Sequence, residues 1–109
     1  MAQNFRNQIT RNTGTSAVDI LDQADSYDTV IGIRCANVGT SAISVDVYVI
    51  RSSTNYYLIK SAPIPVGGSL ELIDGGAKIV LASGDKIAAV STLSSSLDTI
   101  VSFIDTIST

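Results

Sequence analysis

The chain contains no His and no Trp, a single Cys and two Pro. Without His there is no imidazole metal ligand, no His general base and no Ser/His/Asp triad. The single Cys35 excludes an intramolecular disulfide framework. Charged residues are scarce at 16%, against about 25% in ordinary soluble domains. Aromatics are 6%. No apolar run approaches the ~20 residues of a helical membrane span. Met1-Ala2-Gln3-Asn4-Phe5-Arg6 is not followed by the apolar segment of a signal peptide. No Asn-x-Ser/Thr acceptor occurs. The expectation is synthesis in a reducing cytoplasm, with Cys35 as a small core filler. A reactive thiol needs a cationic neighbour. Arg34 is adjacent in sequence, but on a strand it points to the opposite face.

What is present is apolar and β-branched. The chain has 109 residues and is 45% hydrophobic, enough for one folded domain and too apolar for a disordered one. Abundant Val, Ile and Thr favour pleated, half-buried strands. Ile31, Ile33 and Cys35 alternate with Gly32 and Arg34 within residues 27–37, and Ile43, Val45, Val47 and Val49 alternate with Ser44, Asp46, Tyr48 and Ile50. This period of two predicts strands with one buried face. Arg51-Ser52-Ser53-Thr54-Asn55 is read as a polar hairpin turn, and Tyr56–Lys60 as the returning strand. Pro63 and Pro65 mark an extended stretch that cannot donate a full hydrogen-bond ladder. Residues 70–72, 78–81, 86–92 and 97–107 supply further short strands, separated by Gly- and Ser-rich turns. Residues 17–21 read as a short strand or a turn of helix, and residues 5–13 as a first strand or an arm.

Turn signals recur about every 8–12 residues, as in sandwiches and barrels. The expected fold is all-β: a single-domain antiparallel β-sandwich, jelly-roll or Ig-like, of about seven to eight strands. Residues 1–13 are expected as an extended N-terminal arm and residues 14–109 as the sandwich. Several strands carry apolar residues on both faces: Ile50 opposes Val45, Val47 and Val49, Val80 breaks its alternation, and Ile100 and Ile104 flank Val101 and Phe103. A sandwich needs one inward face per sheet, so the second faces point to burial against another chain and a homo-oligomer.

Net charge is −3, which argues against nucleic acid as a partner. Residues 1–13 carry Arg6 and Arg11 and no acid, so the remaining chain is the acidic part. A short basic arm on an acidic body suits an acidic partner, and a frayed terminus is the plain alternative. Asp19, Asp22, Asp25 and Asp28 recur every third residue but lack the spacing and central Gly of an EF-hand loop. They are read as a solvated acidic linker. Val66-Gly67-Gly68-Ser69 and Asp74-Gly75-Gly76 are turns, since no Gly-Lys-Ser/Thr follows either. Tyr48, Tyr56 and Tyr57 cluster near one hairpin, suited to cross-strand packing or a subunit contact, or to stacking on a sugar. Asp46, Glu71 and Asp85 are the candidates for a carboxylate pair, and nothing in the sequence brings two of them together. The expectation is a non-enzymatic protein with no cofactor and no metal.

The stretch from Asp28 to Asp105 resembles small virion proteins of tailed bacteriophages, of the kind found in cyanophages. The residues that carry the resemblance are Thr29-Val30-Ile31-Gly32-Ile33 with Ala36-Asn37-Val38, and Ile43-Ser44-Val45-Asp46-Val47-Tyr48-Val49. They continue with Tyr57-Leu58-Ile59-Lys60-Ser61-Ala62-Pro63-Ile64-Pro65-Val66-Gly67, Leu70-Glu71-Leu72, and Lys78-Ile79-Val80-Leu81 running into Gly84-Asp85. The resemblance implies a structural subunit located in the virion and assembled in the host cytoplasm. It implies a capsid decoration (cement) protein that stabilises neighbouring capsid subunits, or else a neck, collar or tail component. A glycan-binding module of a tail fibre is a further alternative. The implied partners are the major capsid protein or neck and tail proteins, with no membrane. The interface residues expected are Arg6, Arg11, Ile50, Tyr48, Tyr56 and Tyr57.

Overall fold

Alternating burial divides the chain into two antiparallel sheets packed face to face. A computed structural model describes residues 4–21, 28–73 and 79–105. Its strands are β1 (Asn4–Thr13), β2 (Val18–Leu21), β3 (Asp28–Asn37), β4 (Ile43–Arg51), β5 (Thr54–Ile64), β6 (Ser69–Glu71), β7 (Ile79–Leu81), β8 (Lys86–Ser91) and β9 (Leu97–Asp105). Sheet A has the order β1-β9-β3-β6, with β7 also on β3; sheet B has the order β2-β8-β4-β5. β6 lies opposite Arg34–Ala36 and β7 opposite Asp28–Val30, so they occupy two halves of one strand position.

This order distinguishes the two sandwich types expected. An immunoglobulin sandwich keeps its first two strands in one sheet. Here β1 and β2 lie in different sheets, each beside a strand from the end of the chain. With β6 and β7 counted as one interrupted strand, the order is that of a jelly roll. The interruption is also why nine strands stand where seven or eight were expected.

Residues 5–13, read as a first strand or an arm, belong to β1 (Asn4–Thr13) within sheet A. It pairs with β9 from Asn4 opposite Asp105 to Thr13 opposite Leu97. Residues 18–21 are strand, paired with β8. The hairpin of β4 and β5 turns at Ser52 and Ser53, both with positive φ (53° and 63°). Such a two-residue turn matches the right-handed twist of the strands, and it is a conformation that Gly or Asn adopts more easily than Ser.

The inward residues of both sheets close one core. Val30, Ile33, Cys35, Leu97 and Val101 come from sheet A, and Ile43, Val45, Val47, Ile87 and Ala89 from sheet B, all buried. Cys35 is fully buried, and loss of water, reinforced by the Glu71 charge, pushes its thiol up to about 12. One end of the sandwich is tied by buried Asn37, which donates to the carbonyls of Ser41 (2.9 Å) and Ile64 (3.1 Å) and accepts from the Gly39 N–H (2.9 Å). This joins the end of β3 in one sheet to the end of β5 in the other. The opposite end is tied by Arg51 and Asp85.

Candidate interaction surfaces

Once the core is filled, each sheet still has an outer face and an outer edge. On sheet A, cross-strand register sets Ile9 beside Ile100, Ile100 beside Arg34, and Arg34 beside Glu71. A second row runs from Val80 through Thr29 to Ile104. Ile9 is 67% exposed, Val80 59% and Ile100 43%. Between them lie Gly32 and Ser102, which add no bulk. Arg34 donates to Glu71 at 3.0 Å. This face therefore carries exposed aliphatics in two rows, Ile9 with Ile100 and Val80 near Ile104, separated by Asn7, Ser102 and Gly32, with one ion pair at its β6 side.

The outer face of sheet B is built differently. Tyr48 faces outward beside Ala88 and Tyr57. The two tyrosine rings lie 5.1 Å apart and tilted by 50°, so Tyr57 covers Tyr48, which is only 8% exposed. Burial raises the Tyr48 phenol above its ordinary range, with further contributions from Tyr57, Asp46 and Asp19. Lys60 Nζ sits 4.6 Å over the Tyr57 ring and 3.8 Å from Asp46. Lys86 pairs with Asp19 at 3.4 Å. Ile50 lies between Lys86 and Asn55 and is half-buried. The groups on this face largely satisfy one another.

The structure thus separates the residues singled out in the sequence. Tyr48, Tyr57 and Ile50 share the outer face of sheet B. Tyr56, adjacent to Tyr57, points to the opposite side, where it lies opposite Val49 and is 57% exposed. Arg6 and Arg11 are exposed on β1, at the far border of sheet A. The signal for the apolar face was present at Val80, Ile100 and Ile104. Its largest exposed member, Ile9, stood in a polar segment whose period carried no burial information.

The carboxylates considered for catalysis are held apart, each in a structural contact. Asp46 accepts from the Ser61 N–H at 2.7 Å on sheet B. Glu71 binds Arg34 on sheet A. Asp85, almost fully buried, accepts from Arg51 Nε at 2.8 Å and Nη2 at 2.6 Å, and from the Ala82 N–H at 2.9 Å. The Arg51 hydrogen bond holds the Asp85 carboxyl below its ordinary range. An open cavity of about 300 Å³ beside this pair is lined by Val49, Tyr56, Val80 and Leu81. Asp22 and Asp25 of the acidic run and the Asp74-Gly75-Gly76 turn lie outside the described residues. Among the described residues, no three His, Cys, Asp or Glu side chains gather as a metal site.

No family model matches this chain, and no curated protein matches it in sequence. Its fold is shared with solved structures. A chain from the acid-stable capsid structure of Helicobacter pylori bacteriophage KHP30 aligns with TM-score 0.60 and 9% identity, covering 95% of this chain and 87% of that one. A chain from the Bacillus endospore appendages, described as disulfide-linked pili, aligns with TM-score 0.55 and 14% identity, covering 98% and 88%. The nucleoplasmin-like N-terminal domain of Drosophila FKBP39 aligns with TM-score 0.51 and 9% identity, covering 98% and 93%. At these identities the likeness establishes the jelly-roll architecture, on which unrelated functions are built.

Proposed function

We propose that this chain is a non-enzymatic structural subunit of a bacteriophage particle, a capsid decoration (cement) protein that packs against neighbouring capsid subunits. The observation that carries this reading is the outer face of sheet A. It exposes Ile9 and Ile100 side by side and Val80 on a second row, on a domain whose own core is already closed. Four strand positions of about seven residues span roughly 20 by 25 Å, or about 500 Å² per partner. A two-sided contact of ~1,000 Å² reaches the lower bound for a specific interface. Repetition on a particle surface then multiplies weak contacts through effective concentration.

The phage capsid chain that shares the fold over nearly its whole length supports the same reading. The pilus likeness is a weaker guide. Assembly through disulfides needs an accessible thiol, and the lone Cys35 is fully buried with its thiol strongly protonated.

The test is copy number in purified particles of the phage that encodes the chain, measured by quantitative mass spectrometry. Decoration predicts a level comparable with the major capsid protein. A level near that of the portal assigns the chain to the neck or tail. Absence from particles removes the virion reading.

A further inference from the structure

The two sheets end in edge strands that are built in opposite ways. β5 borders sheet B and shifts register against β4 twice, between Val45 and Val47 and between Val47 and Tyr48. Ser61 takes a positive φ of 55°, and Asp46 of β4 accepts its N–H. Pro63 and Lys60 also sit on this strand. Bulges, Pro and Lys are the usual means by which an edge is kept from pairing with another chain. β1 borders sheet A, and from Asn4 to Thr10 its register against β9 is unbroken. That stretch has no Pro and no positive φ. Its irregularity begins after Thr10, where Asn12 has φ 58° and Asp98 accepts its N–H at 2.9 Å. Along such a strand, alternate residues turn N–H and C=O away from the paired neighbour. Among the described residues, β9 is the strand that pairs with β1.

We propose that the outer edge of β1 pairs antiparallel with β1 of a second copy of this chain, across a twofold axis at Asn7. The register follows from the regular segment itself. Residues 4–10 have Asn7 as their midpoint, so only this register uses the whole segment on both copies. It sets Arg6 opposite Gln8, Phe5 opposite Ile9 and Asn4 opposite Thr10, so no two arginines meet. Moving the axis by one residue to Arg6 sets the two Arg6 side chains opposite each other, which is destabilising. An antiparallel twofold contact closes on itself and leaves no further β1 edge. It also joins the apolar faces of two sheets A along one continuous sheet, because Ile9 borders Ile100. Seven paired residues bury less than a standard interface, so the dimer is weak and sensitive to concentration. The pairing is independent of the virion reading.

The experiment is cysteine cross-linking of the full chain under mild oxidation with oxidised glutathione. In the proposed register the two Asn7 Cα atoms lie about 4.5–5.5 Å apart, within disulfide reach. The native Cys35 is buried and does not compete. Thr10→Cys is the control, because its two copies stand six residues apart along the strands, about 20 Å. The expected result is at least about tenfold more covalent dimer for Asn7→Cys than for Thr10→Cys on non-reducing gels, given the distance limits on a disulfide. Equal cross-linking of both variants, or none, overturns the proposal. Asn7→Lys provides the second arm. Asn7 is exposed, so this variant should melt like the parent while its dimer disappears in native mass spectrometry. A dimer that survives Asn7→Lys also overturns it.

Discussion

Sheet A and sheet B share one core and one device for bulging an edge, yet they face solvent in contrasting ways. In both, the N–H of a positive-φ residue on the edge strand is accepted by an Asp on the adjacent strand: Ser61 by Asp46 and Asn12 by Asp98. Beyond that device they diverge. Sheet B covers its outer face with a tyrosine pair and two ion pairs and disrupts its edge twice. Sheet A exposes Ile9, Ile100 and Val80 and keeps seven edge residues in register. A face whose groups satisfy one another gains little from a new partner. A face of exposed aliphatics gains about 25 cal/mol for each Å² it buries.

The largest effect should fall on what the sheets share. Val47, on a central strand of sheet B, is fully buried. Val47→Asp puts an unpaired charge in the core, and a loss of more than about 4 kcal/mol is expected. Val101→Asp should do the same from sheet A, where Val101 is also fully buried. Circular dichroism melts check both, and a folded variant of either would break the view that one core serves two sheets.

The next effect belongs to the tie between β4 and the turn before β8. Asp85→Asn should cost about 2 kcal/mol at neutral pH, because it removes a charge-assisted pair with Arg51. The folded carboxyl titrates below its unfolded value of about 3.9. The unfolded chain therefore takes up the proton first as pH falls. The stabilisation is complete above pH ~4 and is lost as pH drops through the lowered folded value. Denaturant titrations from pH 7 to pH 2 should show this acid slope reduced in Asp85→Asn.

The faces themselves give a smaller and more telling contrast. Tyr57→Ala uncovers Tyr48 and removes the ring beneath Lys60, so sheet B should lose about 1–2 kcal/mol. Ile100→Ser on sheet A should change stability by less than about 0.5 kcal/mol and weaken attachment to particles instead. If Ile100→Ser destabilises the isolated domain as much as Tyr57→Ala does, the contrast between the faces is wrong. The smallest effect is local. Ser53 turns the hairpin with φ 63°, and Ser53→Gly should raise stability by up to about 1 kcal/mol by relieving the left-handed strain.

How far the sequence could be read depended on how each strand is buried. β4 was legible because its alternation records one buried side, and the hairpin to β5 because a polar turn separates two apolar runs. On β3 the alternation held for Ile33 and Cys35, but the register shift between Val30 and Gly32 puts Val30 in the core where Ile31 was expected. β1 resisted because from Arg6 to Thr13 its one apolar residue, Ile9, faces solvent while the more covered positions, Gln8, Thr10 and Thr13, are polar, leaving no hydrophobic contrast to read. Its strand conformation is imposed by β9. The tyrosines were legible as a cluster, and period two already sets Tyr56 and Tyr57 on opposite sides. Only the cross-strand register could say that Tyr57 covers Tyr48. The tie between Arg51 and Asp85 joins residues 34 apart, and no local pattern announces such a pair.

Local sequence was enough to specify an all-β domain with a Val- and Ile-rich core and no imidazole groups. Each of those properties resides in composition or in neighbours two residues apart. The jelly-roll order, the assignment of β6 and β7 to one position, and the choice of aliphatics left in solvent emerge only in the folded domain. Those depend on pairings between distant segments, such as β1 with β9. Their partners are selected by closing a common core, and a local window of sequence does not contain that information.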